Sequence, residues 1–263
     1  MDLGLGLALL VLGFVGAFFS GMLGIGGAII VIPLLLFVPP ALGYAPFDMK
    51  VVAGLSMMQV LFAALSGVVA HRRNEFVSRD LILSMGIGSL IGSFGGGIGS
   101  VYVPSAALAA IFASIALAGA ALMFLPRPEG NVPGEIRDLS FNRPLAFGMA
   151  VAVGLISGMV GAGGAFILIP LMLYVLRIPT RITIGSSLGI VLLSAIAGSA
   201  GKITTGQIVY PLAAVLVIGA LPGAQLGSYV SKRIRVKTLK LLLTIIIAAT
   251  AARMWYDLLT LVR

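Results

Sequence analysis

Two stretches hold residues that could do chemistry, and they are copies of each other. Ser20-Gly-Met-Leu-Gly-Ile-Gly-Gly-Ala28 recurs as Ser157-Gly-Met-Val-Gly-Ala-Gly-Gly-Ala165, 137 positions on (157 minus 20). Glycine permits positive φ and a close approach of backbone to a ligand. A helix that starts just after such a cluster offers unpaired N–H groups and the positive end of its dipole. That chemistry is anion binding. Gly24, Gly26 and Gly27 in the first copy and Gly161, Gly163 and Gly164 in the second are the candidate amide donors. Ser20 and Ser157, which precede the turns, can add hydroxyls. The same glycines would also serve the plainer purpose of letting helices pack closely.

Other polar residues within apolar sequence are few. Ser56, Gln59, Ser186, Ser187 and Gln225 are candidate lining residues, and Ser194 is a weaker one. Gln59 and Gln225 have no polar counterpart in the other copy. They can break the symmetry to recognise a substrate, or simply hydrogen-bond across a helix interface. All eight acidic residues fall in loops or near the ends of apolar runs. Cation and proton pathways ordinarily display a buried carboxylate, so the pattern favours an anion over a cation or metal ion. His71 is the only histidine; it lies beside Arg72 and Arg73 at the end of a run, and its repeat counterpart is Lys202. Both are expected at a mouth, where a basic group attracts anions. No carboxylate pair, no Ser–His–Asp set and no phosphate-binding loop is present. The chain is therefore expected to be neither an enzyme nor a primary pump, with no cofactor and no metal.

The elements that position these residues must lie in a membrane. Of the 263 residues, 60% are hydrophobic and 10% charged, and mean hydropathy is +1.17. A soluble domain carries about 25% charged residues, and so few could not cover its surface. No charge occurs in 3–47, 51–70, 81–126, 144–176, 182–201 or 203–231. Since a crossing takes about 20 apolar residues, these runs predict an all-α polytopic protein. The net charge of +9 follows from basic loops rather than from a nucleic-acid partner, and the absence of cysteine excludes disulfides and thiol chemistry. The first residues lack a basic leader region and read as a retained membrane segment.

The duplication sets the architecture. After Ile32-Pro33-Leu34 and Ile169-Pro170-Leu171 the offset becomes 131, pairing Gly54 with Gly185, Ser56 with Ser187, and Gly88, Gly92 and Gly96 with Gly219, Gly223 and Gly227. The second glycine set is expected to pack helices. Residues 1–126 form one repeat, 127–143 a polar cytoplasmic linker and 144–263 the second repeat, together one membrane domain.

Counting basic residues orients the repeats. If each glycine-interrupted stretch crossed once, the loops would carry equal numbers of Lys and Arg on both sides. If each turns back at its glycines, Arg72, Arg73, Arg79, Arg127, Arg137, Arg143, Arg177, Arg181, Lys232, Arg233, Arg235, Lys237 and Lys240 share one side. Only Lys50, Lys202 and Arg263 then face the other. The positive-inside rule selects the second arrangement. The fold expected is two inverted-topology repeats, each a Gly-broken hairpin followed by three transmembrane helices, with both termini outside an inner membrane. Inversion would bring the two turns together near the midplane, as in transporters with discontinuous helices.

With these residues in view the chain resembles the TauE/SafE family of sulfite exporters. The resemblance rests on Phe19-Ser-Gly-Met-Leu-Gly-Ile-Gly-Gly-Ala28 with Pro33, on the copy at 157–165 with Pro170, and on Ile184-Gly-Ser-Ser-Leu188. The first half carries Ala53-Gly-Leu-Ser56 in place of the Gly-Ser-Ser form. The resemblance covers essentially the whole chain and implies export of sulfite or a small organosulfonate, so that the partners are a small inorganic or organosulfur anion and the lipid bilayer. A membrane assembly or scaffold protein that transports nothing, or a cation permease, is the alternative.

Overall fold

A computed structural model describes residues 2–23, 27–70, 77–124, 141–231 and 252–256. These residues are helical apart from short connections, with no strand among them. The first half runs α1 (Leu3–Leu23), α2 (Ala28–Ala41), α3 (Met49–Ala70), α4 (Arg79–Gly99), a 3-10 turn (Ser100–Tyr102) and α5 (Ser105–Phe124). The second half runs α6 (Arg143–Val160), α7 (Ala165–Tyr174), α8 (Thr180–Thr204) and α9 (Tyr210–Ser231), and 252–256 are again helical. Among the described residues six helices are long and apolar enough to cross a membrane: α1, α3, α4, α6, α8 and α9. The protein is a polytopic all-α membrane protein. Most of the expected linker at 127–143 falls outside the described residues.

Local sequence fixes the helix starts. Ser78 caps α4 by accepting from Leu81 N–H (3.4 Å), and Asn142 caps α6 by accepting from Leu145 N–H (3.1 Å). An Arg143–Asp80 ion pair (2.7 Å) ties these two starts together. Both partners are largely exposed, so the pair adds little stability and mainly marks one end of the bundle.

Between the helix ends, polarity is inside out. On α4 the exposed residues are Leu83, Ile87, Ile91 and Phe94, while Gly88, Ser89, Gly92, Ser93, Gly96 and Gly97 are buried. In lipid no hydrophobic force drives helices together, so close contact of small residues holds them. A methyl at Gly92 would meet the Val151 carbonyl on α6, and one at Gly96 the Leu155 carbonyl. In the same way Gly219, Gly223 and Gly227 of α9 face the Leu10, Phe14 and Phe18 carbonyls of α1. The two seams are the same contact made twice, with α4 on α6 and α9 on α1.

The contact order gives the helix directions. Gly88, Gly92 and Gly96 meet Phe147, Val151 and Leu155 in ascending order, so α4 and α6 run parallel; α1 and α9 do likewise. Gly189 meets Ile82, and Gly198 and Gly201 meet Ser93 and Phe94, so α8 runs with α4. Against α3 the order reverses, since Gly54 meets Gln207, Met57 meets Gly198 and Gly67 meets Leu188. Thus α4, α6 and α8 point one way and α3 the other. A short turn of 205–209 returns the chain into α9 antiparallel to α8, and α1 follows α9.

Candidate functional site

The second glycine turn is described in full. Helix α6 ends at Val160 and Gly161 takes φ 78°. Gly163 and Gly164 follow at φ 67° and 81°. Three left-handed glycines within four residues reverse the chain at no Cβ cost. Ala162 N–H donates to Ser157 C=O (2.9 Å), and the Gly164 carbonyl accepts from both Ile167 and Leu168 N–H (3.1 and 2.9 Å). This closes the first turn of α7. In the first copy Gly27 (φ 69°) starts α2 in the same manner, its carbonyl accepting from Ile30 and Val31 N–H (3.0 and 3.1 Å). Gly24 and Gly26 lie outside the described residues. The serines occupy matching places: a methyl on Gly164 would stand 3.0 Å from Ser157 Oγ, and one on Gly27 3.1 Å from Ser20 Oγ. Each hydroxyl is therefore tucked beneath the start of the returning helix.

Neighbours on α3 and α8 fix the depth. A methyl at Gly163 would stand 2.6 Å from Val60 and 3.5 Å from Val191. These valines are halfway along α3 and α8, so α7 begins, positive end first, at the middle of the bundle. Its ten residues make about 15 Å of helix, half a hydrocarbon thickness. Gly161 packs on Ala53, and Ser56 donates its hydroxyl to the Gly161 carbonyl (2.8 Å) and, more weakly, to Ala53 (3.2 Å). Ser56 thus clamps the turn. Residues 161–166 are all buried.

Gln59, next to Val60, faces the first hairpin. Its amide nitrogen donates to Gly13 C=O (3.3 Å), and a methyl on Gly16 would stand 3.0 Å from it. Gly16 C=O in turn abuts Gly27. The Gln59 side-chain oxygen is buried with no hydrogen-bond partner. One turn of α3 therefore touches the second glycine turn through Val60 and, through Gln59, the part of α1 that abuts Gly27.

The remaining sequence candidates sit elsewhere. Ser186 accepts from Ser78 N–H (3.1 Å), joining the start of α8 to that of α4. Ser187 is buried one residue on. Gln225 is exposed on α9 between Leu221 and Tyr229, on the outward face.

Lys202 differs from expectation. Placed at a mouth by its counterpart His71, it is instead fully buried, while His71 lies outside the described residues. Its ammonium donates to Ser100 Oγ (3.1 Å), Met159 C=O (3.2 Å) and Gln207 Oε1 (3.2 Å). All three are neutral, and among the described residues the one ion pair is Arg143–Asp80. The Met159 carbonyl belongs to the negative end of α6, which offsets part of the charge. The signal was present in the sequence, as a lysine inside an apolar run with no acid near it, but spacing alone could not tell burial from a rim. The Lys202 ammonium and the positive ends of α2 and α7 each favour negative charge nearby.

The family model described as sulfite exporter TauE/SafE matches residues 9–254. The chain is 25% identical over 264 residues to the probable membrane transporter protein YunE of Bacillus subtilis, covering 95% of this chain and 97% of that one. It is similarly 25% identical over 249 residues to a probable membrane transporter protein of Methanocaldococcus jannaschii, covering 91% of each. A further relative, the probable membrane transporter protein YjnA of Bacillus subtilis, is 26% identical over 252 residues, covering 92% of this chain and 96% of that one. No solved structure matches.

Proposed function

The chain belongs to the TauE/SafE sulfite exporter family and is a multi-pass membrane transporter, and from that premise we propose that it exports sulfite or a small organosulfonate, held halfway across the bilayer by the amide-rich starts of α2 and α7. The observation that carries this reading is Gly163 against both Val60 and Val191. It supports a helix start aimed into the centre of the bundle, where a dipole acts on a charge with little screening. The two repeats are inverted in this reading. The opposite courses of α1 and α6, and the paired seams made by exchange of helices between halves, support it.

The same directions support one membrane orientation. Arg79, Arg143, Arg177 and Arg181 lie at or beside the starts of α4, α6 and α8, whereas Lys50 and Lys202 lie at the other end. The arginine end is cytoplasmic and both termini are outside the inner membrane. An inside-negative potential, worth about 2.3 kcal/mol per charge per 100 mV, then drives the anion outward with no coupling ion. Because the turn is buried, release needs a rearrangement around α7.

The test is flux in proteoliposomes. The purified chain should carry sulfite or taurine-like sulfonates, and Gly163→Val, which drives a side chain into Val60, should abolish the flux while the other seams persist. A wild-type protein that carries none of these anions would sink the reading and favour a scaffold; uptake of a divalent cation instead would favour a permease of the other sign.

A further inference from the structure

Duplication supplies an internal control for the seam between α4 and α8. The counterpart of this seam, 131 positions away in each helix, is α9 on α3. There Ala220, Ala224 and Ala63 pack with Ala17 into one small buried cluster. At the corresponding positions of the α4–α8 seam stand Ser89, Ser93 and Ser194. All three are fully buried, and none of their hydroxyls has a hydrogen-bond partner. Packing does not require these oxygens, because alanine makes the same contact in the twin. Burying a hydroxyl unpaired is unfavourable, more so in lipid where no water can be reached from outside. The Ser66 hydroxyl on α3 is also buried without a partner, but these three stand where the twin has alanine, and there they are spare hydrogen-bonding capacity.

Their positions form a line. Ser89 is halfway along α4. A methyl on Gly198 of α8 would stand 2.5 Å from Ser93 Oγ, so that hydroxyl is aimed into the seam. One turn further Gly97 faces Gly201, and beyond them Lys202 donates to Ser100. The line thus runs from the middle of the bundle to a buried ammonium whose partners are all neutral, beside Met159 at the end of α6.

We propose that the α4–α8 seam is the hydroxyl-lined half of the anion path, in which Ser89, Ser93 and Ser194 hydrogen-bond an oxyanion passing between the central turns and Lys202, while the α9–α3 twin is a dry packing seam. This rests on the transport reading above. A hydroxyl donates to an oxyanion without binding it as tightly as a cation would, which suits a track that must release what it holds. Lys202 supplies the attraction that draws the anion to that end.

The absence of native cysteine allows a direct test. Single Ser93→Cys and Ser194→Cys variants, and Ala224→Cys and Ala63→Cys in the twin, are treated in membranes with a small anionic thiol reagent. The two seam cysteines should react at least about tenfold faster than the twin pair, and a small alkanesulfonate, which does not itself consume the reagent, should slow them. The triple variant Ser89→Ala, Ser93→Ala, Ser194→Ala, which copies the twin, should keep its melting temperature and lose about tenfold or more of its flux, as expected for hydrogen bonds lost to a charged ligand. Equal reactivity in both seams, or wild-type flux in the triple variant, overturns the proposal. Wild-type protein that carries no sulfite or sulfonate, while the seam cysteines still react selectively, would remove the substrate assignment and leave the path. Flux in wild type with an unreactive seam would do the reverse.

Discussion

Gly161 and Gly43 share a left-handed backbone, at φ 78° and 86°, yet they answer to different constraints. Leaving an L-residue in that region costs about 1–2 kcal/mol. Around Gly43 there is nothing within 4 Å, so Gly43→Ala should cost about that much and no more. At Gly161 a methyl would stand 2.6 Å from Ala53 Cα, which is buried backbone near the start of α3 and cannot easily yield. Gly161→Ala should therefore remove most of the folded protein, read as the monodisperse fraction after detergent extraction and as its melting temperature. If both variants melt alike, the turn is looser than its contacts imply. The sequence identified both serine-and-glycine clusters as the places of interest. It could not say that Ser56, a candidate lining residue, spends its hydroxyl on the Gly161 carbonyl, because that bond joins residues 105 positions apart.

Helix pairs are decided by the small-residue faces. Gly92 on α4 presses on α6, where a methyl would stand 2.7 Å from Leu155 N and closer to the Val151 carbonyl. Gly92→Val should force α4 and α6 apart and lower folded yield severely, since no other force between apolar helices in lipid replaces close packing. Gly148, on the exposed face of α6, meets nothing within 4 Å. Gly148→Ala should be neutral or raise stability by about 0.5 kcal/mol through helix propensity alone. A thermal-stability assay on the two variants separates the seam from the lipid face; equal effects would count against the assigned contact. Sequence periodicity marked Gly88, Gly92 and Gly96 and their copies as packing residues. Which helix each set would meet was not legible, since α4 pairs with α6 and α9 with α1 across the halves rather than within them.

At the scale of the molecule, two expectations depend on orientation. Reporter enzymes active only outside the cytoplasm should work when fused to either end, and not when fused in the 127–143 linker. Activity of the linker fusion would reverse the whole arrangement. Sulfite efflux from vesicles should also rise with an inside-negative potential, because one elementary charge moving through 100 mV gains about 2.3 kcal/mol, or roughly a 50-fold gradient at equilibrium. An efflux gradient indifferent to the potential would mean that a coupled ion neutralises the anion's charge.

Composition and uncharged runs were enough to establish a polytopic helical protein, because in a bilayer every backbone group must bond within its own helix and apolar length alone then marks the crossings. Side-chain surroundings were beyond that logic. Whether Lys202 sits at a rim or is sealed depends on Ser100 and Met159, 102 and 43 positions distant along the chain, as well as on nearby Gln207. Only packing brings those together. The two seams show this most directly: spacing in the sequence makes them equivalent, and the tertiary contacts reveal that one is closed by alanine while the other buries three hydroxyls with nothing to bond.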